Sequence, residues 1–240
     1  MIELSKVEDW QRIVDVISSF ISEGNFRFTS KGIAFRAVDQ SQIVMVNFTI
    51  DKSVFDVYDI EPNFVGIDLK ELARIVARAQ PNDRMILDLT DSEMHLSFEG
   101  DLNRSFKLPL LDLPDTELKL PEYKFDATVE ISGRLLKESL KDAALFGSSV
   151  TLKIENGIFF IEAKGTSGKV SSSSKKSAKV EVDSKKDVVS KYSLNYLMNI
   201  TKGADPEGKV FLELKSDTPM RMKYSIGSSE MEFLIAYMML

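Results

Sequence analysis

The sequence predicts an α+β fold made of two similar domains. Three observations lead there. Residues recur at a spacing of 125, each half orders its helical and strand-like stretches alike, and a proline-marked connector separates the halves. Gly32-Ile33 recurs as Gly157-Ile158, and Leu69, Leu72 and Ile75 recur as Leu194, Leu197 and Ile200. Ala79-Gln-Pro-Asn-Asp-Arg-Met-Ile-Leu-Asp-Leu89 recurs as Ala204-Asp-Pro-Glu-Gly-Lys-Val-Phe-Leu-Glu-Leu214. One register held across a turn, a helix and a helix-to-strand junction marks an internal duplication. A duplicated unit in turn suits a symmetric assembly.

In the first half Val7, Trp10, Val14, Ile17 and Ile21 recur at three- and four-residue steps, which predicts an amphipathic helix over 7–22 closed by Gly24. Phe26 and Phe28 alternate with Arg27 and Thr29 before the turn Ser30-Lys-Gly32, and 33–38 and 43–50 read as strands. A second helix is expected over 68–79 with Asp68 as N-cap, then strands near 84–90, 93–99 and 103–110. The second half repeats this order. Its helix over 133–146 carries Leu135, Leu136, Leu140, Ala143 and Ala144, and Glu155-Asn-Gly157 is a hairpin signal between strands at 149–155 and 158–163. A helix over 193–202 precedes strands near 209–215, 220–226 and 230–236.

These assignments give domains at 1–111 and 125–240, joined by a connector at 112–124. Two prolines and four acids make 112–122 an extended segment, and Leu113, Leu118 and Leu120 suit docking back onto a domain surface. The serine- and lysine-rich stretch 165–177 reads either as a mobile loop or as a polar edge strand.

Composition excludes several classes. The 240 residues contain no cysteine, so disulfide and thiolate chemistry are absent and a reducing compartment fits. No apolar run approaches the roughly 20 residues of a membrane span, and Met1–Lys6 does not resemble a signal peptide. The only histidine, His95, lies between Met94 and Leu96 and reads as structural or solvent-facing. With it alone there is no zinc site of the usual type. No phosphate-cradling glycine loop or nucleophile elbow is present, and no acid pair stands out among 37 Asp and Glu, so an enzyme, a metal or a cofactor is not expected.

The basic residues are more telling on a chain of net charge −6. Lys70, Arg74 and Arg78 follow one stripe of the second helix, and Arg134, Lys137 and Lys141 one stripe of the third. Arg12 lies on the first helix, and Lys202 ends the fourth, below Asn195 and Asn199. On a single helix such a stripe is an ordinary solvated face. On equivalent helices sharing one surface it becomes a basic track suited to a nucleic-acid backbone, in sequence-independent and salt-sensitive contact. No aromatics interleave, so duplex fits better than single strands.

Three segments now carry a resemblance. Gly32-Ile-Ala-Phe-Arg-Ala-Val-Asp-Gln-Ser-Gln-Ile-Val44, Leu110-Leu-Asp-Leu-Pro-Asp-Thr-Glu-Leu-Lys-Leu-Pro121 and Asp217-Thr-Pro-Met-Arg-Met-Lys-Tyr224 stand in the order found in DNA sliding clamps of the archaeal and eukaryotic proliferating cell nuclear antigen family. The chain resembles that family over essentially its whole length, in archaeal rather than eukaryotic style. The resemblance implies a trimeric ring, of identical or paralogous subunits, with helices lining a central channel and antiparallel sheets outside. It implies tethering of polymerase by encircling duplex DNA, opening by an ATP-using clamp loader, and a cytoplasmic, nucleoid-associated location (nuclear in a eukaryote).

It further implies that Arg12, Lys70, Arg74, Arg78, Arg134, Lys137, Lys141 and Lys202 face the DNA. Peptides bearing a glutamine and paired aromatics, from polymerase, flap endonuclease or DNA ligase, would dock on Val38, Leu118, Leu120, Pro121, Pro219 and Ala236, with Gln42 beside the pocket. Tyr237 stands where the family has a proline, an expected change in the pocket rim. Subunits would join through Phe106 and Leu108 on the strand near 103–110, pairing with the strand near 168–175 that holds Val170. The runner-up function is a clamp-like subunit acting mainly as a repair or checkpoint interaction platform.

Overall fold

The computed structural model describes every residue except Thr116, Glu117, Lys176, Ala178 and Leu240, so those parts of the connector, of the serine- and lysine-rich stretch and of the C-terminal segment lie outside the described residues. The chain forms two compact units. Unit 1 comprises Met1–Gln40, Val46–Lys119 and Ile226–Met231, and unit 2 comprises Ser41–Met45, Leu120–Ser225 and Glu232–Leu240.

The first half of the sequence runs β1 (Ile2–Leu4), α1 (Val7–Ser18), β2 (Glu23–Thr29), β3 (Gly32–Val38), β4 (Val44–Asp51), a 3₁₀ turn at Lys52–Val54, β5 (Val57–Tyr58), β6 (Asn63–Asp68), α2 (Leu69–Val76), β7 (Arg84–Leu89), β8 (Glu93–Glu99) and β9 (Arg104–Pro109). The second half runs β10 (Ala127–Ser132), α3 (Gly133–Ala144), β11 (Ser149–Glu155), β12 (Ile158–Gly165), β13 (Gly168–Ser173), β14 (Val180–Ser184), β15 (Val188–Ser193), α4 (Leu194–Thr201), β16 (Lys209–Leu214), β17 (Met220–Ile226) and β18 (Ser229–Ile235).

The 125-residue offset holds element by element: β6, α2 and β7 shifted by 125 are β15, α4 and β16 to the residue. The strand orders match as well. In the first half they are β5-β1-β7-β8-β9 and β4-β3-β2-β6; in the second, β14-β10-β16-β17-β18 and β13-β12-β11-β15. Every described strand pair is antiparallel, such as Phe26↔Phe35 in β2–β3 and Leu152↔Ile161 in β11–β12.

Alternation builds these sheets. In β2 the buried positions are Gly24, Phe26 and Phe28, with Asn25 and Arg27 on the other face. The inward rings stack onward into the core of unit 1, where Phe26 lies 4.8 Å from Phe35 and Phe35 lies 5.4 Å from Phe48. α1 adds Trp10 at 5.9 Å from Phe26, and its Val7, Val14 and Ile17 are buried beside it, as the helical spacing predicts.

Two sequence expectations about this corner need correction. α1 ends at Ser18, not 22, because the Ser19 and Phe20 amides bond the carbonyls of Val16 and Ile17, tightening the last turn. Ile21 continues the apolar spacing and is buried, but outside the helix. Gly24 lies inside β2 and does not close α1. A Cβ there would sit 2.7 Å from the Phe35 ring, so the glycine makes room for an aromatic.

The repeated turn glycines are constrained differently. Gly32 has φ +136°, and a Cβ on it would fall 2.0 Å from the Ile50 carbonyl oxygen. Gly157 has φ +74° in open space beside Asn156 at φ 51°, so only its left-handed backbone calls for glycine.

α2 starts at Asp68, whose carboxylate accepts from the Lys70 and Glu71 amides at 2.9 Å each. It ends at Val76, earlier than the expected 79, leaving Arg78 in the following turn. Asp68→Ala should destabilise unit 1 by about 1 kcal/mol, read as a lowered denaturation midpoint. In the second half α3 and α4 end at Ala144 and Thr201, against expected ends at 146 and 202.

The serine- and lysine-rich stretch contributes the polar edge strand β13, paired to β12 with Val170 opposite Ala163. The connector docks back onto unit 1. The Leu111 amide donates to the Gly66 carbonyl at 2.8 Å, and Leu113 packs where a Gly66 Cβ would be. Asn25 Nδ2 donates to the Pro114 carbonyl (3.2 Å), Arg27 pairs with Asp115, and Arg36 Nη1 donates to the Leu118 carbonyl (2.7 Å).

Candidate nucleic-acid and partner surfaces

In each unit one helix pair carries the basic residues. α1 packs on α2, and α3 packs on α4. The two pairs use one device. Gln11 Nε2 on α1 donates to the carbonyls of Val76 (2.9 Å) and Ala79 (3.2 Å) at the end of α2. Lys137 Nζ on α3 donates to the carbonyls of Ala204 (2.6 Å) and Lys202 (3.2 Å) at the end of α4. Ala79 and Ala204 are duplicate positions, so a donor from the first helix satisfies carbonyls just past the second in both units.

On α2 the buried residues are Leu69, Leu72 and Val76, while Lys70 and Arg74 are exposed, as is Arg78 in the turn that follows. On α3 Leu136, Leu140 and Ala143 are buried, while Arg134 and Lys141 are exposed. Lys202 is exposed just past α4, and Arg12 is half-buried on α1. The stripes therefore exist, but several cations already meet carboxylates. Arg74 lies 2.7 Å from Glu71, Lys141 2.7 Å from Glu138, Arg134 3.2 Å from Glu207, and Arg12 3.6 Å from Asp9. These solvent-exposed pairs are weak individually, yet each sets a negative charge beside a cation that a phosphate would meet. Lys137 is held by its two carbonyls, a load the spacing alone did not reveal.

Among the strands at the ends of sheets, β9 closes the order β5-β1-β7-β8-β9 and β13 opens the order β13-β12-β11-β15. On β9 Phe106 is half-buried and packs edge-on against Phe98 at 5.8 Å, while Leu108 is buried and Ser105, Lys107 and Pro109 point outward. On β13 Val170 is half-buried between exposed Lys169 and Ser171. Lysine, proline and small polar residues on such edges discourage indiscriminate pairing.

The expected partner-peptide residues fall in both units. In unit 1 Val38 is half-buried at the end of β3, the strand whose Arg36 holds the Leu118 carbonyl. In unit 2 Gln42 is exposed with φ 56°, and the next residue, Ile43, accepts from the Ala236 amide at 2.8 Å. Tyr237 is exposed, and the Met238 amide donates to the Lys191 carbonyl on β15 at 2.7 Å. Pro219 follows a turn fastened to that same strand, Leu120 is half-buried and Pro121 exposed.

Among the described residues no group of three or more His, Asp or Glu side chains could hold a metal ion. His95 is part-exposed, its Nε2 3.0 Å from Glu93 Oε2, and that contact holds the Glu93 carboxyl below its ordinary pKa.

A duplicated α+β chain, with a basic helix pair per unit and dissimilar sheet edges at β9 and β13, is of the sliding-clamp class in its fold. Two family models match: the proliferating cell nuclear antigen N-terminal domain over residues 2–117 and the C-terminal domain over 119–239. The DNA polymerase sliding clamp 1 of Thermococcus kodakarensis is 30% identical over 234 residues, covering 95% of this chain and 94% of that one. The DNA polymerase sliding clamp of Pyrococcus furiosus is 28% identical over the same shares. Among solved structures, the Thermococcus kodakaraensis PCNA aligns with a TM-score of 0.92 at 23% identity, covering 99% of both chains. A chain of the PCNA2–PCNA3 complex from Sulfolobus tokodaii aligns with a TM-score of 0.89 at 21% identity, covering 98% of both. The chain belongs to the proliferating cell nuclear antigen family, the DNA polymerase sliding clamps.

Proposed function

We propose that three such subunits, identical or paralogous, close into a ring around duplex DNA and tether polymerase without performing a reaction. The observation that carries this reading is the pair of unlike sheet edges on a duplicated chain. β9 ends one kind of strand order and β13 ends the other. An edge of one kind meeting an edge of the other makes a head-to-tail contact, and head-to-tail contacts give rings when the rotation closes. The exposed cations of α2 and α3 would line the channel and touch phosphates without reading sequence, which permits sliding. Short peptides with a glutamine and paired aromatics would dock on Val38, Gln42, Leu118, Leu120, Pro121, Pro219, Ala236 and Tyr237. Polymerase, clamp loader, flap endonuclease and DNA ligase are the expected carriers, in the cytoplasm at the nucleoid.

Light scattering on the purified protein tests the ring. The expected mass is three times the 27.0 kDa chain, with stimulation of polymerase on primed circular DNA. A single-chain mass that persists when paralogous clamp subunits are co-expressed would overturn it. Ring assembly without polymerase stimulation would leave the interaction-platform reading in its place.

A further inference from the structure

The duplication supplies an internal comparison for unit 2. β6 and β15 are equivalent strands, yet Val65 and Ile67 of β6 correspond to Ser190 and Tyr192 of β15, and all four are buried. Burying a hydroxyl is costly unless it is hydrogen-bonded. Both are bonded, and to one place. Ser190 Oγ donates to the Lys215 carbonyl at 3.0 Å and accepts from the Asp217 amide at 2.9 Å. Tyr192 Oη donates to the Thr218 carbonyl at 3.2 Å. From the neighbouring position, the Val189 amide donates to Ser216 Oγ at 3.1 Å. These bonds fasten a turn, 215–218, in which Asp217 takes a left-handed φ of 48°.

The fold does not demand this anchoring. The corresponding turn of unit 1, Thr90–Glu93, closes on itself. Thr90 Oγ1 accepts from the Glu93 amide at 3.0 Å, and the Thr90 amide donates to the Glu93 carbonyl at 2.9 Å. Burial raises the Tyr192 pKa to about 12, so its hydroxyl keeps its proton and remains a donor at ordinary pH. The residue after the anchored turn is Pro219. On the same strand the Lys191 carbonyl accepts from the Met238 amide, so β15 also ties down the segment after Tyr237.

We propose that Ser190 and Tyr192 are positioning residues for the partner-peptide site: by fixing the 215–218 turn to β15 they hold Pro219 in one place as a rigid apolar contact for a peptide's aromatic anchor. The inference rests on reading Pro219 as part of that site. A preorganised contact binds more tightly because little ordering remains to be done on binding.

The test is the affinity of a fluorescently labelled peptide carrying a glutamine and paired aromatics, measured by anisotropy with amide exchange at Asp217 followed in parallel. Tyr192→Phe and Ser190→Ala should each weaken binding about three- to tenfold and speed exchange at Asp217, with the oligomeric mass unchanged. Pro219→Ala should weaken binding too. Thr90→Ala, which loosens the equivalent turn of unit 1, should leave affinity within about twofold. If Pro219→Ala weakens binding while Tyr192→Phe and Ser190→Ala do not, the positioning role is wrong and the site stands. If Thr90→Ala weakens binding as much as Tyr192→Phe, the effect is general loosening and the role is wrong. If the unmodified protein does not bind the peptide, or Pro219→Ala has no effect, the site falls and the positioning role falls with it.

Discussion

Phe106→Glu is expected to yield folded single chains of 27.0 kDa in place of the assembled ring. Phe106 lies on β9, half-buried, with one edge against Phe98. A carboxylate there can turn toward water in the isolated chain, so the cost to folding should be about 1 kcal/mol, typical of a point substitution. Across a strand-to-strand junction the same carboxylate would lose its water at the place where Phe106 offers an apolar ring, which costs several kcal/mol. The asymmetry between these terms makes the substitution selective for assembly. Val170→Glu on β13 should act the same way from the other edge. Mixing the two variants separates head-to-tail from edge-to-like-edge joining. The Phe106→Glu chain keeps an intact β13 and the Val170→Glu chain an intact β9, so together they should form a two-chain species that cannot close. Circular dichroism checks the fold and light scattering the mass. A ring mass that survives Phe106→Glu removes β9 from the interface.

The duplication made much of the fold legible. A single offset ties β6, α2 and β7 to β15, α4 and β16, and the buried residues of α1 and α2 follow from their spacing. What misled was reading burial as helicity. Ile21 is buried in the turn after α1, so apolar spacing overran the helix end, and Gly24 looked like a terminator when it makes room for a ring. β1, only three residues long, left no periodic signal of its own. The choice between loop and strand at β13 was settled by pairing to β12, a non-local partner that alternation of serine and lysine cannot announce. On the candidate surfaces the exposed cations of α2 and α3 were legible, but the role of Lys137 was not, because its acceptors are main-chain carbonyls 65 and 67 residues away. Ser190 and Tyr192 were missed for the same reason. A signal did exist, since aligning the two halves sets these hydroxyls against Val65 and Ile67.

Reversing Lys70, Arg74, Arg78 and Lys141 to glutamate should reduce retention on circular DNA about tenfold or more at moderate salt while leaving the oligomeric mass intact. The set omits Lys137 deliberately. Its ammonium sits on the Ala204 and Lys202 carbonyls, so a glutamate would turn two attractions into repulsions and loosen α3 from α4, confounding DNA contact with folding. The four chosen side chains are exposed, and their loss removes no buried contact. Each phosphate neutralised contributes about −0.9 to the slope of log affinity against log salt, so the reversed protein should also show a flatter salt dependence. The local carboxylates permit a test of opposite sign. Glu71 lies 2.7 Å from Arg74, and Glu138 lies 2.7 Å from Lys141. Glu71→Gln with Glu138→Gln frees both cations, and retention should rise and steepen with falling salt. A surface that merely solvates the helices would respond to neither change. Unaltered polymerase stimulation by the fourfold reversal would show that DNA is not held by these helices, whereas loss in the reversal and gain in the glutamine pair would tie affinity to net charge on α2 and α3. The charges already paired on the free protein imply a weak hold, and a weak hold on phosphates is what lets an encircling protein move along duplex without letting go.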